Sequence, residues 1–132
     1  MRDDEAFSLA SEIVAELGPR LLVPDPVVVE VDHLLRSRTG HPAARAFLRS
    51  VARGEISIHC MTPGLVRRAV EIDSRYADLG LGYADASVMA VAERMDSPIL
   101  TFDFEHFRAS SPMTGFWRLV VDEDRYAREV GK

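Results

Sequence analysis

The sequence predicts an α/β domain, with a small and mainly parallel sheet flanked by helices in three layers. Three observations carry that expectation. Short apolar or β-branched runs alternate with segments whose apolar residues recur every three to four positions, the pattern of strands joined by helical crossovers. The breaks between them are short and rich in Gly and Pro. The stretch 79–107, LGLGYADASVMAVAERMDSPILTFDFEHF, compresses half of such a unit into one passage. A glycine loop leads to Asp85 at the start of a helix that runs to about Met95. Asp96-Ser97-Pro98 breaks it, and a strand over residues 98–102 delivers Asp103 at its carboxyl end.

The remaining elements follow in order. Phe7, Ala10, Val14 and Leu17 give residues 3–17 one apolar helical face, stopped by Gly18-Pro19. Residues 20–23 form a short strand closed by Pro24-Asp25-Pro26. A helix over about 27–38 buries Val28, Val31, Leu34 and Leu35 and leaves Asp32 and His33 on other faces. After a loop over residues 39–42, Pro42 suits the first turn of a helix that buries Ala44, Phe47, Leu48 and Val51. Residues 55–61 alternate, with Ile56, Ile58 and Cys60 on one side of a strand. Thr62-Pro63 is an N-cap followed by proline at the first helical position, opening a helix that carries Leu65, Val66, Ala69, Val70 and Ile72. A polar loop over 107–115, a strand over 116–121 and a helix over 122–130 complete the chain.

Length and composition bound the function. With 132 residues, 47% of them hydrophobic and 28% charged, the chain is expected to be one globular domain spanning residues 1–132. No apolar run approaches the roughly 20 residues that cross a bilayer. The acidic, amphipathic start is unlike a signal peptide, so a cytoplasmic protein without a membrane partner is expected. A single cysteine, Cys60, excludes an internal disulfide, and its apolar surroundings suggest a small core residue. Charge is unevenly distributed. Seven arginines and one acid (Glu55) make residues 33–70 +6, so in a chain of net charge −5 the remainder is −11. Such a basic middle, with Arg45, Arg49 and Arg53 four residues apart, can track a phosphate backbone. It can equally be a solvated helix face whose arginine stems cover apolar surface.

The candidate chemistry is carried by acids. The four histidines show no metal-ligand spacing, no serine sits in a nucleophile elbow, and no glycine loop matches a phosphate-binding fingerprint. Glu30, Asp85 and Asp103 come from three separate elements of a sheet that gathers its ligands beyond the carboxyl ends of its strands. Three carboxylates without His or Cys suit Mg²⁺ or Mn²⁺ rather than Zn²⁺. Each also has a purely structural explanation. Glu30 is favourable near a helix start, Asp85 can cap a helix, and Asp103 can open a turn.

The segments VVVEVDHLL, GLGYADASVMAVAERM and ILTFDFEHF together resemble the PIN-domain ribonucleases, specifically the VapC-type toxins, in order and spacing over nearly the whole chain. The resemblance implies a PIN fold and an Mg²⁺- or Mn²⁺-dependent endoribonuclease. It makes Glu30, Asp85 and Asp103 the catalytic and metal-holding acids, with Thr101 a neighbour of the last. It also implies RNA as substrate, a cognate antitoxin protein and a homodimer as partners. Arg45, Arg49, Arg53 and Thr101 are then the candidates for substrate contact. The chain departs from the family at one point. PIN domains begin with an apolar strand carrying Asp followed by Thr or Ser, and Asp3 and Asp4 lie in a polar segment that is no such strand. The expectation is therefore a PIN-like domain with its first strand missing and an impaired nuclease site, or an assigned start downstream of the real one. The alternative is a catalytically inactive PIN-like protein that acts only by binding an antitoxin or itself.

Overall fold

The computed structural model describes Glu12, residues 15–97, Ser110, Pro112, Met113 and Arg128. The chain forms two compact units, one of residues 18–91 and one of residues 1–17 with 92–132. Of the expected helix over 3–17, the described part is Glu12 and residues 15–17, all helical. Most of the expected elements beyond residue 97 lie outside the described residues. Among the described residues no helix is long and apolar enough to cross a membrane.

In the unit 18–91, the strands β1 (Leu22–Pro24) and β2 (Ser57–His59) pair in parallel, with Leu22 opposite Ser57, Val23 opposite Ile58 and Pro24 opposite His59. Both strands therefore end at the same edge. The first strand starts later than its apolar run suggests, because Gly18–Arg20 closes a 3-10 turn first, with Leu21 N donating to Gly18 O at 3.0 Å.

Helix α1 (Asp25–Arg38) follows β1 without a loop. It begins two residues before the expected start. Pro26 falls in the first turn, where its missing N–H would be unpaired anyway, so the Pro-Asp-Pro run starts the helix instead of delaying it. Val28, Val31 and Leu35 are half-buried, but Leu34 is exposed, as is Val29 at 70%. Helix α2 (His41–Ala52) packs on α1. Pro42 lies in its first turn as expected. Ala44 is fully buried, while Phe47, Leu48 and Val51 are half-buried.

Ile56 is buried just before β2, whereas Ile58 and Cys60 are exposed. Cys60 is thus not the core residue its neighbours suggest. Alternation identifies which residues share a strand face, and says nothing about whether that face is covered. Helix α3 (Pro63–Arg75) starts as the Thr-Pro pair requires, with Thr62 Oγ1 accepting from Leu65 N at 3.3 Å. Leu65, Ala69 and Ile72 form its buried stripe, and Val70 lies outside that stripe at 55% exposure.

Helix α4 (Gly82–Met95) is buried on nearly every side: Ala86, Ser87, Met89, Ala90, Val91 and Ala92 all belong to the core. A helix apolar all round belongs inside, and the small Ala and Ser side chains let neighbouring elements approach closely. Asp96, at φ +51°, turns the chain out of it, and Ser97 N donates to Ala92 O at 3.0 Å. That is a left-handed C-terminal cap, a conformation Asp tolerates better than most residues.

Two stability tests follow from this packing. Ile72→Ala should cost about 2–5 kcal/mol, and Val70→Ala, two residues away, should stay within about 0.5 kcal/mol. Ser87 Oγ is buried with no hydrogen-bond partner among the described residues. Ser87→Ala removes that unpaired hydroxyl, so urea unfolding followed by circular dichroism should show unchanged or higher stability, by up to about 1 kcal/mol. A loss of that size would show that the hydroxyl is satisfied.

Candidate functional site

The carboxyl edge of the parallel pair is where an α/β unit presents its ligands. Past Pro24 comes Asp25, the first residue of α1, and past His59 come Cys60 and Met61. Asp25 Oδ2 accepts from Met61 N at 3.5 Å, a long bond that bridges the exits of the two strands. Sequence reasoning took Asp25 as part of a strand-closing turn and missed this role. The available signal was the acid between two prolines, which marks the first turn of a helix.

Asp25 also changes the meaning of Glu30. The first-turn acid of α1 is Asp25, and Glu30 is the sixth helical residue, so the helix dipole does not account for it. Glu30 is exposed on the stripe that carries Val29, His33, Leu34, Ser37 and Arg38. It makes no hydrogen bond or ion pair with a described residue. The neighbouring acid Asp32 is half-buried and engaged, its two oxygens accepting from Arg36 Nε at 3.0 and 3.1 Å. Arg36 Nη1 lies 2.8 Å from His41 Nδ1 at the turn between α1 and α2.

Asp85 is the fourth residue of α4 and half-buried, so it lies inside the first turn and is not the cap. The loop before it is shaped by Gly80 at φ +61° and Gly82 at φ +79°. Between them Leu81 is buried, anchoring the loop in the core and fixing where α4, and hence Asp85, begins. A carboxylate in a first turn is favoured by the helix N-terminus.

Glu30 and Asp85 thus belong to one compact unit, each on a helix, and Asp103 and Thr101 lie outside the described residues. Among the described residues no group of three His, Cys, Asp or Glu side chains is arranged to hold a metal ion. Arg45, Arg49 and Arg53 are all exposed, along α2 and at its C-terminal end.

Residues 1–111 match the family model described as PIN domain. The fold and the sequence together place the chain in the PIN-domain family. Within that family it is of the VapC ribonuclease type. It is 34% identical over 106 residues to Ribonuclease VapC26 of Mycobacterium tuberculosis (strain ATCC 25618 / H37Rv), covering 80% of this chain and 78% of that protein. The crystal structure of Mycobacterium tuberculosis VapC20, described as a Sarcin-Ricin loop cleaving toxin, matches with a TM-score of 0.61 at 24% identity. It covers 74% of this chain and 72% of that one, and it shows the PIN fold.

The loop before Asp85 supplies a direct test. A Cβ at Gly82 meets nothing within 4 Å, so the cost of Gly82→Ala is conformational. It should be about 1–2 kcal/mol for a left-handed residue, and Gly82→Asn should cost less. Chemical denaturation of the two variants checks both values. Equal costs would mean that the left-handed backbone is not what the position requires.

Proposed function

We propose that the chain is a metal-dependent endoribonuclease of the VapC toxin type, with Glu30, Asp85 and Asp103 holding Mg²⁺ or Mn²⁺. The similarity to Ribonuclease VapC26 over most of both chains carries this reading. The donor chemistry fits: carboxylate oxygens from separate elements, with Glu30 open to solvent and Asp85 half-buried in a first turn. When bound, the metal would supply Lewis-acid polarisation of a phosphoryl oxygen. The chain's own contribution is placement. Glu30 is reachable from water and from a nucleic acid, and the buried Leu81 with its two flanking glycines holds Asp85 at the start of a rigid core helix. Thr101 is a neighbour of Asp103 that contacts substrate. A cognate antitoxin protein and a second copy of the chain are the partners this reading brings, in the cytoplasm.

Asp85→Asn and Glu30→Gln should each lower Mg²⁺- or Mn²⁺-dependent cleavage of a labelled RNA on the order of 10²–10³-fold, comparable to removing one preorganised electrostatic group. Mn²⁺ should raise the melting temperature of the unsubstituted chain, as a ligand of the native state does, and Asp85→Asn should abolish that rise. A rise that survives Asp85→Asn puts the metal elsewhere.

The resemblance also implies an Asp-bearing apolar strand ahead of the first helix, a pattern that the segment around Asp3 and Asp4 does not have, and the contribution of such a strand can be measured directly. Joining an apolar strand ending in Asp-Thr-Ser ahead of Met1 should raise both stability and cleavage. An Asp→Ala version of that strand should keep the stability and lose the gain in cleavage. Equal cleavage with and without the strand shows that three acids suffice. No cleavage in either form leaves protein binding as the chain's role.

A further inference from the structure

We infer that the exposed ridge of Arg45 and Arg49 on α2, with Arg53 at its C-terminal end, docks the phosphate backbone of RNA, so that the negatively charged chain meets its substrate through one face. The inference rests on the nuclease reading for its substrate class and on the structure for its location. Successive arginines four residues apart stand about 6 Å from one another along a helix axis. Their flexible side chains reach neighbouring phosphates, and the planar guanidinium suits phosphate oxygens.

Two of the other four arginines of the basic middle are paired with acids, and the remaining two, Arg38 and Arg67, are exposed on helices that carry acids of their own, Asp25, Glu30 and Asp32 on α1 and Glu71 and Asp73 on α3. Arg36 is neutralised by Asp32 at 3.0 Å and Arg68 by Glu71 at 3.2 Å. Arg45 and Arg49 have no ion-pair partner among the described residues, and Arg53 has a loose one, 3.9 Å from Glu55 with both side chains more than half exposed. Helix α2, HPAARAFLRSVA, contains no acid.

Two bland explanations account for the ridge less well. Arginine stems laid over apolar surface account for where the side chains lie and leave their guanidinium groups, exposed at Arg45 and Arg49, without a counter-charge among the described residues. The helix dipole favours cations in the last turn, which accounts for Arg49. It does not account for Arg45, the fifth residue of the helix. In a chain of net charge −5 an uncompensated basic ridge repels nothing a polyanion carries, while the acidic remainder does.

The test measures binding of a fluorescein-labelled RNA oligonucleotide to the full chain by anisotropy, in EDTA, across a range of NaCl concentrations. Each phosphate contact on a single strand contributes about 0.7 to the slope of log affinity against log salt. Arg45→Gln with Arg49→Gln should flatten that slope by about 1.4 and weaken binding roughly 10- to 30-fold near 0.1 M salt. Arg45→Lys with Arg49→Lys should keep most of the slope. Arg67→Gln with Arg94→Gln changes net charge equally at exposed sites off the ridge and should leave it nearly unaltered. The inference is overturned if the ridge variant keeps the slope, if the off-ridge variant flattens it as much, or if the unsubstituted chain binds no RNA at low salt. Metal-dependent cleavage, measured in parallel, separates this outcome from the nuclease reading. Binding that depends on the ridge without cleavage sinks only the nuclease. Cleavage that persists with unaltered binding in the ridge variant sinks only the ridge.

Discussion

Leu22, Val23 and Pro24 run parallel to Ser57, Ile58 and His59. Two parallel neighbours cannot be joined by a tight turn, so the chain must travel back along the sheet before the second strand starts. Here α1 and α2, of 14 and 12 residues, make that return as a packed pair. The functional placement within residues 18–91 depends on this constraint. Because both strands end at one edge, α1 must leave from it, which puts Asp25 at the strand exit and Glu30 less than two turns further on. The exposed ridge lies on the second helix of the same crossover. A register shifted by one residue would part Asp25 from Met61 and reverse the strand faces.

A different kind of constraint acts at Asp85. Helix α4 is buried nearly all round, so its position is over-determined by packing, with Ala86, Met89, Ala90 and Val91 fitted on several sides. A carboxylate one residue ahead of that buried run inherits its rigidity. The half-burial of Asp85 places it where the core meets solvent, and the left-handed glycines let the loop turn tightly enough to bury Leu81. Precision at this acid therefore comes from apolar packing beneath it, which is cheaper than ordering a surface loop around a charge.

Local chemistry in the sequence foretold the starts and stops of elements best where one residue type does one job. Thr62-Pro63 and Pro42 open their helices as expected, and Asp96-Ser97 ends α4. The parallel pairing and the PIN fold were also legible, the former from alternation of element types and the latter from three motifs in order. Coverage was not legible. Leu34, Ile58, Cys60 and Val70 fit apolar periodicities yet are exposed, because periodicity assigns residues to a face and leaves open what lies against it. Asp25 was hidden by the opposite error. Two prolines suggested a break, although in a first turn they are compatible with the helix. Of the candidate site, the first-turn explanation falls away for Glu30, because Asp25 is the first-turn acid of α1, and it still holds for Asp85, which lies in the first turn of α4. For Asp103 and Thr101 the argument remains the motif.

The distribution of charge can be weighed the same way. Exposed ion pairs such as Arg68 with Glu71 contribute at most about 1 kcal/mol, so folding stability exerts little pressure on where arginines stand. That makes their partition informative. Arg36 and Arg68 sit beside acids, whereas the arginines of α2 sit on a helix without one. Glu30, the candidate acid on the preceding helix, also has no cationic partner among the described residues, while Asp32, two positions on, has Arg36. On the proposed reading, an acid that meets a cation from solution and arginines that meet a polyanion share one requirement, that neither be neutralised by the chain itself. The crossover pairs Asp32 with Arg36 and leaves Glu30, Arg45 and Arg49 without an ion-pair partner among the described residues.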